Sequence, residues 1–170
     1  MIKTKTFGRY ILLTMAMMIS MSSYAKTLID GIYYNLDDKK KEAEVIDRDE
    51  NGFHFFDYKG KIDIPETVKH NNITYTVTKI QKNCFSNCYN LISISIPSTV
   101  TEIGEYAIIE CIQLESLTVD KGNKVYDSRN NCNALIYTET NELLVGCKNT
   151  KIPVGITRIG DNAFQSINVS

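Results

Sequence analysis

The residues of this chain that could do chemistry are few: five cysteines, two histidines and two pairs of closely spaced aspartates in 170 residues. Cys84-x-x-x-Cys88 would need C-x-x-C spacing to read as a redox or metal motif, and neither His54 nor His70 stands at ligand spacing to it. Asp37-Asp38 and Asp47-x-Asp49 have the spacing of calcium ligands but lack the Gly and Glu of a complete binding loop. There is no G-x-S-x-G, no H-E-x-x-H and no phosphate-cradling glycine loop. The expectation is therefore a chain with no catalytic residue, no metal and no cofactor, and not an enzyme.

The cysteines have positional logic of a different kind. Cys88 and Cys111 are 23 residues apart at equivalent points of a repeated pattern, so they should stack about 4.8 Å apart, as neighbouring strands do. Free cysteine is among the most buried residue types, so a ladder of packed thiols is expected there, with Cys84 filling a small interior slot. Cys132 and Cys147 instead flank a hairpin pattern symmetrically about Glu139-Thr140, which sets Ala134 opposite Val145 and Ile136 opposite Leu143. Opposed residues of an antiparallel pair come close enough for a disulfide, so Cys132–Cys147 is the candidate bond.

The elements that position these residues are set by an internal repeat. Val77-Thr78-Lys79-Ile80 recurs 23 residues later as Val100-Thr101-Glu102-Ile103, and Ile156-Thr157-Arg158-Ile159 lies 56 residues further on. A fixed period in this range marks a solenoid whose coils bury their apolar sides against one another. Leu91, Ile94 and Ile96, and then Leu117 and Val119, alternate as inward-facing strand positions. Pro97 ends its strand, Gly104 suits a tight bend, and the spacing of Ala107, Ile108 and Cys111 predicts one short helical turn. Such strands leave Ile92, Ser93, Ser95, Glu115, Ser116 and Thr118 facing outward, and repeat stacks use rows of this kind as binding faces. Short polar residues also keep a sheet soluble, and Ile92 is the one that favours contact.

Leu91-x-x-Ile94-x-Ile96-Pro97-x-x-Val100-x-x-Ile103-Gly104-x-x-Ala107-Ile108-x-x-Cys111-x-x-Leu114 resembles the BspA-type leucine-rich repeat, departing from it at Ile108, where the pattern has Phe. The likeness runs from about Gly31 to Phe164, and Gly31-Ile32-Tyr33-Tyr34 is similar to the openings of exported members. The resemblance implies a bacterial surface or secreted protein that binds other macromolecules, with host matrix proteins or other cells as partners. A structural or assembly module of the envelope, without a host ligand, is the alternative. The fold class expected is α/β and β-rich, a short right-handed leucine-rich-repeat solenoid of parallel strands and short helical turns.

Residues 1–25 read as a signal peptide: Lys3, Lys5 and Arg9, an apolar run from Ile11 to Met21, then Ser23-Tyr24-Ala25. The run is too short to span a bilayer, and all five methionines lie in this segment. Removing those three basic residues moves the formal net charge from −1 to −4, and no basic stripe favours nucleic acid or membrane. The mature chain is expected outside the cytoplasm: at the cell surface, extracellular or periplasmic, meeting a protein or glycan ligand. Residues 26–64 read as an N-terminal β-hairpin cap, with turns at 37–41, Asn51-Gly52 and Lys59-Gly60. Residues 65–170 read as the solenoid, with hairpin insertions near 68–76 and 120–149 that leave the stack unbroken, and an incomplete last repeat. That last repeat exposes Ile159 and Phe164, so self-association through residues 150–170 is expected.

Overall fold

A computed structural model of the chain describes residues 26–47 and 58–167. The signal peptide, the Asn51-Gly52 turn, His54 and Asp49 lie outside the described residues. Thirteen strands are described: β1 Thr27–Ile29, β2 Ile32–Asp37, β3 Glu42–Ile46, β4 Gly60–Asp63, β5 Thr67–His70, β6 Ile73–Ile80 and β7 Leu91–Ile96 come first. β8 Glu102–Ile103, β9 Ser116–Val119, β10 Tyr126–Asp127, β11 Ala134–Tyr137, β12 Glu142–Gly146 and β13 Arg158–Ile159 complete them.

Two parallel columns build the stack. In one, β4, β7 and β9 lie side by side, with Ile62 beside Ile94 and Ile94 beside Leu117. In the other, β3, β6 and β8 pair in parallel, with Val45 beside Ile80 and Ile80 beside Ile103. Residues 77–96 form coil one, 100–119 coil two, and coil three begins at 156. The strand interiors are Leu91, Ile94, Ile96, Leu114 and Leu117, all fully buried. Each contributes roughly 1.5–3 kcal/mol by leaving water. The expectation of inward alternation from 91 to 119 therefore holds.

No helix closes the coils; the one short 3-10 turn described is Arg129–Asn131. Turns replace the expected helical segment because two residues per coil take left-handed dihedrals four positions apart. These are Asn83 (φ 58) and Asn87 (φ 59) in coil one, and Tyr106 (φ 57) and Glu110 (φ 56) in coil two. A left-handed residue breaks the helical bonding pattern, whatever the apolar spacing suggests. Nor is Gly104 placed for unusual dihedrals. A Cβ there would sit 2.3 Å from the Lys82 nitrogen and 2.6 Å from its Cα, so glycine lets two coil backbones touch.

The cap is a meander of β1, β2 and β3, whose β2–β3 connection ends in Lys41 (φ 57). β4 does not belong to it. Its parallel pairing with β7 makes it the first strand of the stack, so the boundary expected at residue 64 moves to before Gly60. The first insertion is the β5–β6 hairpin, turned by Asn71 (φ 49) and Asn72 (φ 63), the two left-handed residues of a tight hairpin loop.

The second insertion does not sit at the side. β10, β11 and β12 form an antiparallel meander, and β12 pairs in parallel with β13, so the inserted sheet stands inside the stack between coils two and three. Leu135 packs into the main core, whereas Ala134, Ile136 and Leu143 pack with Cys132 and Ala163 in a second cluster. Lys148 N–H donates to the Leu114 carbonyl at 2.9 Å and Gly146 N–H to the Ala163 carbonyl at 2.7 Å, bridging the two coils. Phe164 is half-buried and packs against the second cluster, over Gly146, so of the two residues expected to be bare only Ile159 is exposed, at 46%.

Candidate functional site

The outer face of β4, β7 and β9 is built by the same alternation that fills the core. With Leu91, Ile94 and Ile96 turned inward, Ile92, Ser93 and Ser95 are left outside, and Ile92 is 42% exposed. Parallel register then aligns the outer residues in rows across the strands. Lys61, Ser93 and Ser116 form one row, and Asp63, Ser95 and Thr118 the next. A third row pairs Ile92 with Glu115, whose N–H donates to the Ile92 carbonyl at 2.9 Å.

Hydrogen bonds run along and beyond the rows. The Ser95 and Thr118 hydroxyls lie 3.2 Å apart, and the Ser116 hydroxyl donates to the Asn133 side-chain oxygen at 3.2 Å. All six residues expected on the binding face, Ile92, Ser93, Ser95, Glu115, Ser116 and Thr118, are thus brought to one surface. Lys61, Asp63 and Asn133 join them unforeseen. The first two were within reach of the sequence: Ile64-Pro65 precedes Ile96-Pro97 by 32 residues, and the same offset sets Lys61 beside Ser93 and Asp63 beside Ser95. At the ends of these strands a shallow groove of about 610 Å³ runs past Pro65, Glu66, Pro97, Asp120 and Lys121. Hydroxyls, one ammonium and two carboxylates on a flat sheet can hold a ligand by hydrogen bonds, each hydroxyl both donating and accepting.

The residues first considered for chemistry are engaged elsewhere. Asp37 accepts the N–H groups of Lys40 and Lys39, and these bonds hold its carboxyl below the usual range against the opposing effect of desolvation. Asp38 accepts the Tyr75 hydroxyl at 2.5 Å, and Asp47 pairs with Lys26 at 2.8 Å. His70 ends β5, away from any cysteine pattern. Among the described residues no group of three or more His, Cys, Asp or Glu is arranged to hold a metal ion.

All five cysteines are buried free thiols. Burial pushes the Cys84, Cys111, Cys132 and Cys147 thiols up, which keeps them protonated and unreactive. Cys111 donates to the Phe85 carbonyl at 3.1 Å. The expected opposition of Cys132 and Cys147 is corrected by a bulge between Leu135 and Ile136. Ile136 does face Leu143, but Ala134 faces Gly146 and not Val145, a slip of one residue. The extra residue in one strand shifts every pair beyond it. The Cys147 thiol consequently lies 3.2 Å from both the Asn133 and the Glu115 carbonyl, either of which can accept its one hydrogen, while Cys132 turns into the second cluster. The two thiols are not bonded.

The sequence pattern described as the BspA type leucine rich repeat region matches residues 62–170 in six copies. No curated protein matches the chain. Among solved structures, a leucine-rich repeat protein from Bacteroides ovatus is 29% identical with a TM-score of 0.51, covering 84% of this chain and 40% of its own. One from Bacteroides capillosus, 18% identical with a TM-score of 0.51, covers 85% of this chain and 98% of its own, a likeness of fold. A leucine-rich cell surface protein from Faecalibacterium prausnitzii is 28% identical with a TM-score of 0.46, over 58% of this chain and 24% of its own. The chain thus spans less than half of the Bacteroides ovatus and Faecalibacterium proteins. Among the described residues no helix is long and apolar enough to cross a membrane. The repeat pattern, the parallel columns and the matched residues agree: the chain belongs to the BspA-type leucine-rich repeat family.

Proposed function

We propose that the chain is an exported, non-enzymatic binding module that holds a protein or glycan ligand outside the cell on the outer face of β4, β7 and β9. In this reading residues 1–25 are the leader, the mature chain resides at the cell surface, outside the cell or in the periplasm, and the stack winds right-handed, as parallel crossovers do. Host matrix proteins are the partners that membership of the family suggests. One observation carries the proposal: two rows of polar residues, short on β7 and β9, run in register across three strands, with an exposed isoleucine at their edge. Short side chains lose little entropy when a ligand orders them, so such a face is well suited to adhesion.

Leader-free protein presented to matrix proteins, mucins and bacterial surface extracts tests this. A ligand found in that way should bind Ser93→Glu/Thr118→Lys at least tenfold more weakly, while Cys84→Ala should bind as the wild type does. Undiminished binding by a folded face variant overturns the assignment to this surface.

A further inference from the structure

A cleft of about 460 Å³ separates the turns of coil two from the inserted sheet, with Tyr106 and Ile108 on one wall and Leu144, Val145 and Asn162 on the other. Coil one shows how its wall is made. There the N–H groups of Asn83, Phe85 and Asn87 donate to the carbonyls of Glu105, Ala107 and Ile109 of coil two, at 3.1, 2.7 and 3.0 Å. Twenty-three residues on, the same three positions are Tyr106, Ile108 and Glu110. Tyr106 and Glu110 repeat the left-handed φ of Asn83 and Asn87 within a few degrees, which turns their N–H groups the same way along the stack.

No coil carbonyls meet them. The Ala163 carbonyl, counterpart of Ala107, accepts from Gly146 in the inserted sheet. Among the described residues the N–H groups of Tyr106, Ile108 and Glu110 have no protein acceptor. A row of backbone donors at alternate positions is complementary to a row of backbone carbonyls, as in strand addition to an open sheet edge. We propose that this cleft binds an uncharged peptide segment of another protein, laid along coil two with carbonyls at alternate residues, as residues 105–109 are laid along coil one. The side of the cleft favours an uncharged segment because each of its charged groups already sits in an ion pair, three carboxylates on two cations. Lys82 holds Glu105 at 2.9 Å, and Arg158 holds Glu142 at 2.6 Å and Asp161 at 2.7 Å. The Tyr106 ring, 49% exposed, and half-buried Leu144 and Val145 offer apolar contact. This site is separate from the outer face of β4, β7 and β9, and neither proposal depends on the other.

Amide exchange and a peptide titration, both read by NMR on the chain lacking residues 1–25, test it. In the free protein the amides of Tyr106, Ile108 and Glu110 should exchange at least tenfold faster than those of Asn83, Phe85 and Asn87. An acetylated, amidated peptide copying residues 104–110, with both glutamates replaced by glutamine so that it is uncharged, should then shift those three amides saturably and slow their exchange. Leu144→Arg, which fills the cleft, should weaken that binding at least tenfold. Three slow amides in the free chain at every concentration would overturn the proposal, and the wild-type arm gives this answer even if the variant does not fold. Protection that grows with protein concentration would replace the peptide by a second copy. Shifts confined to β4, β7 and β9, or none at millimolar peptide, would also end it.

Discussion

Asn123 stands 23 residues after Val100, in the slot where each coil returns to the interior. Among the described residues it is the one buried polar side chain, 8% exposed, and all its hydrogen-bonding capacity is used. Its amide donates to the Pro97 and Val100 carbonyls at 2.9 and 2.8 Å, and its oxygen accepts the N–H groups of Val125 and Tyr126, both at 2.9 Å. Tyr126, in the Ile103 slot, then accepts the Ile103 N–H at its hydroxyl, 3.1 Å away. These two residues end the 23-residue ladder and turn the chain out into the inserted sheet. Asn123→Ala strands three backbone groups and leaves the Pro97 carbonyl only the Val100 N–H at 3.4 Å, so it should lower unfolding stability by about 2–4 kcal/mol in urea titrations. Asn123→Asp keeps the acceptor but points a carboxylate at two carbonyls, and should be as damaging at pH 7 and partly relieved when protonated. Loss below about 0.5 kcal/mol for both would show that water already serves these groups. Applying the 23-residue offset once more would have flagged the position, since an asparagine in a valine slot has no apolar reason to be there. Gly104 and Gly160 share a repeat position but not surroundings. A Cβ at Gly104 meets Lys82 backbone at 2.3 Å, whereas at Gly160 its nearest neighbours are the Leu143 carbonyl at 3.3 Å and the Glu142 carboxylate at 3.4 Å. Gly104→Ala should therefore cost about 2–3 kcal/mol by prising coils apart, and Gly160→Ala less than about 1 kcal/mol. Equal effects in thermal melts would mean that the repeat position, and not the coil contact, sets the requirement.

At the scale of elements, the strands were the legible part. Offsets of 23 and 32 residues give the lateral neighbours of β4, β7 and β9 directly, because in a parallel stack equivalent residues lie side by side. The turns were not legible. Ala107, Ile108 and Cys111 satisfy helical spacing and satisfy equally well a turn broken by left-handed residues at Tyr106 and Glu110, where neither residue type announces itself. The β11–β12 bulge has no mark in the sequence either, and it alone displaces Cys132 from Cys147. What could have been read is the likeness of the two meanders. The β2–β3 connection runs from Asp37 to Glu42 and the β11–β12 connection from Tyr137 to Glu142, an offset of 100 residues. Each ends in a left-handed residue, Lys41 or Asn141, both at φ 57. The carbonyls of those two residues accept the N–H groups of Thr76, within β6, and Thr157, which leads into β13. The insertion is therefore a second cap. It starts coil three as the first meander starts coil one, which is why it lies in the stack and not beside it.

Across the whole molecule, buried titratable groups are spread through both clusters, and this fixes how the fold responds to base. Burial pushes up the thiols of Cys84, Cys111, Cys132 and Cys147, and it pushes up the hydroxyls of Tyr34, Tyr58 and Tyr126. Tyr58 is held further by its place between strands: its hydroxyl donates to the Ile46 carbonyl at 2.8 Å and accepts the Tyr33 N–H at 3.0 Å. In the unfolded chain these groups titrate near their ordinary values, about 8.5 for Cys and about 10 for Tyr. Their folded values are higher, so the stability they represent is complete below about pH 8. As pH rises the unfolded state loses protons first, and the contribution drains away through the folded values. Each thiol fully ionised in the unfolded state alone removes about 1.4 kcal/mol per further pH unit. Urea titrations in reducing buffer should therefore show constant stability from pH 7 to about pH 8, then a fall that steepens again near pH 10 as the tyrosines join. Cys84→Ala is the informative variant, because Ala107 and Ala163 fill the same slot in coils two and three. It should fold, and it should flatten the fall between about pH 8.5 and pH 10 without moving the tyrosine limb. Stability unchanged to pH 10 would mean that these thiols reach water in the native state, against the packing of both clusters.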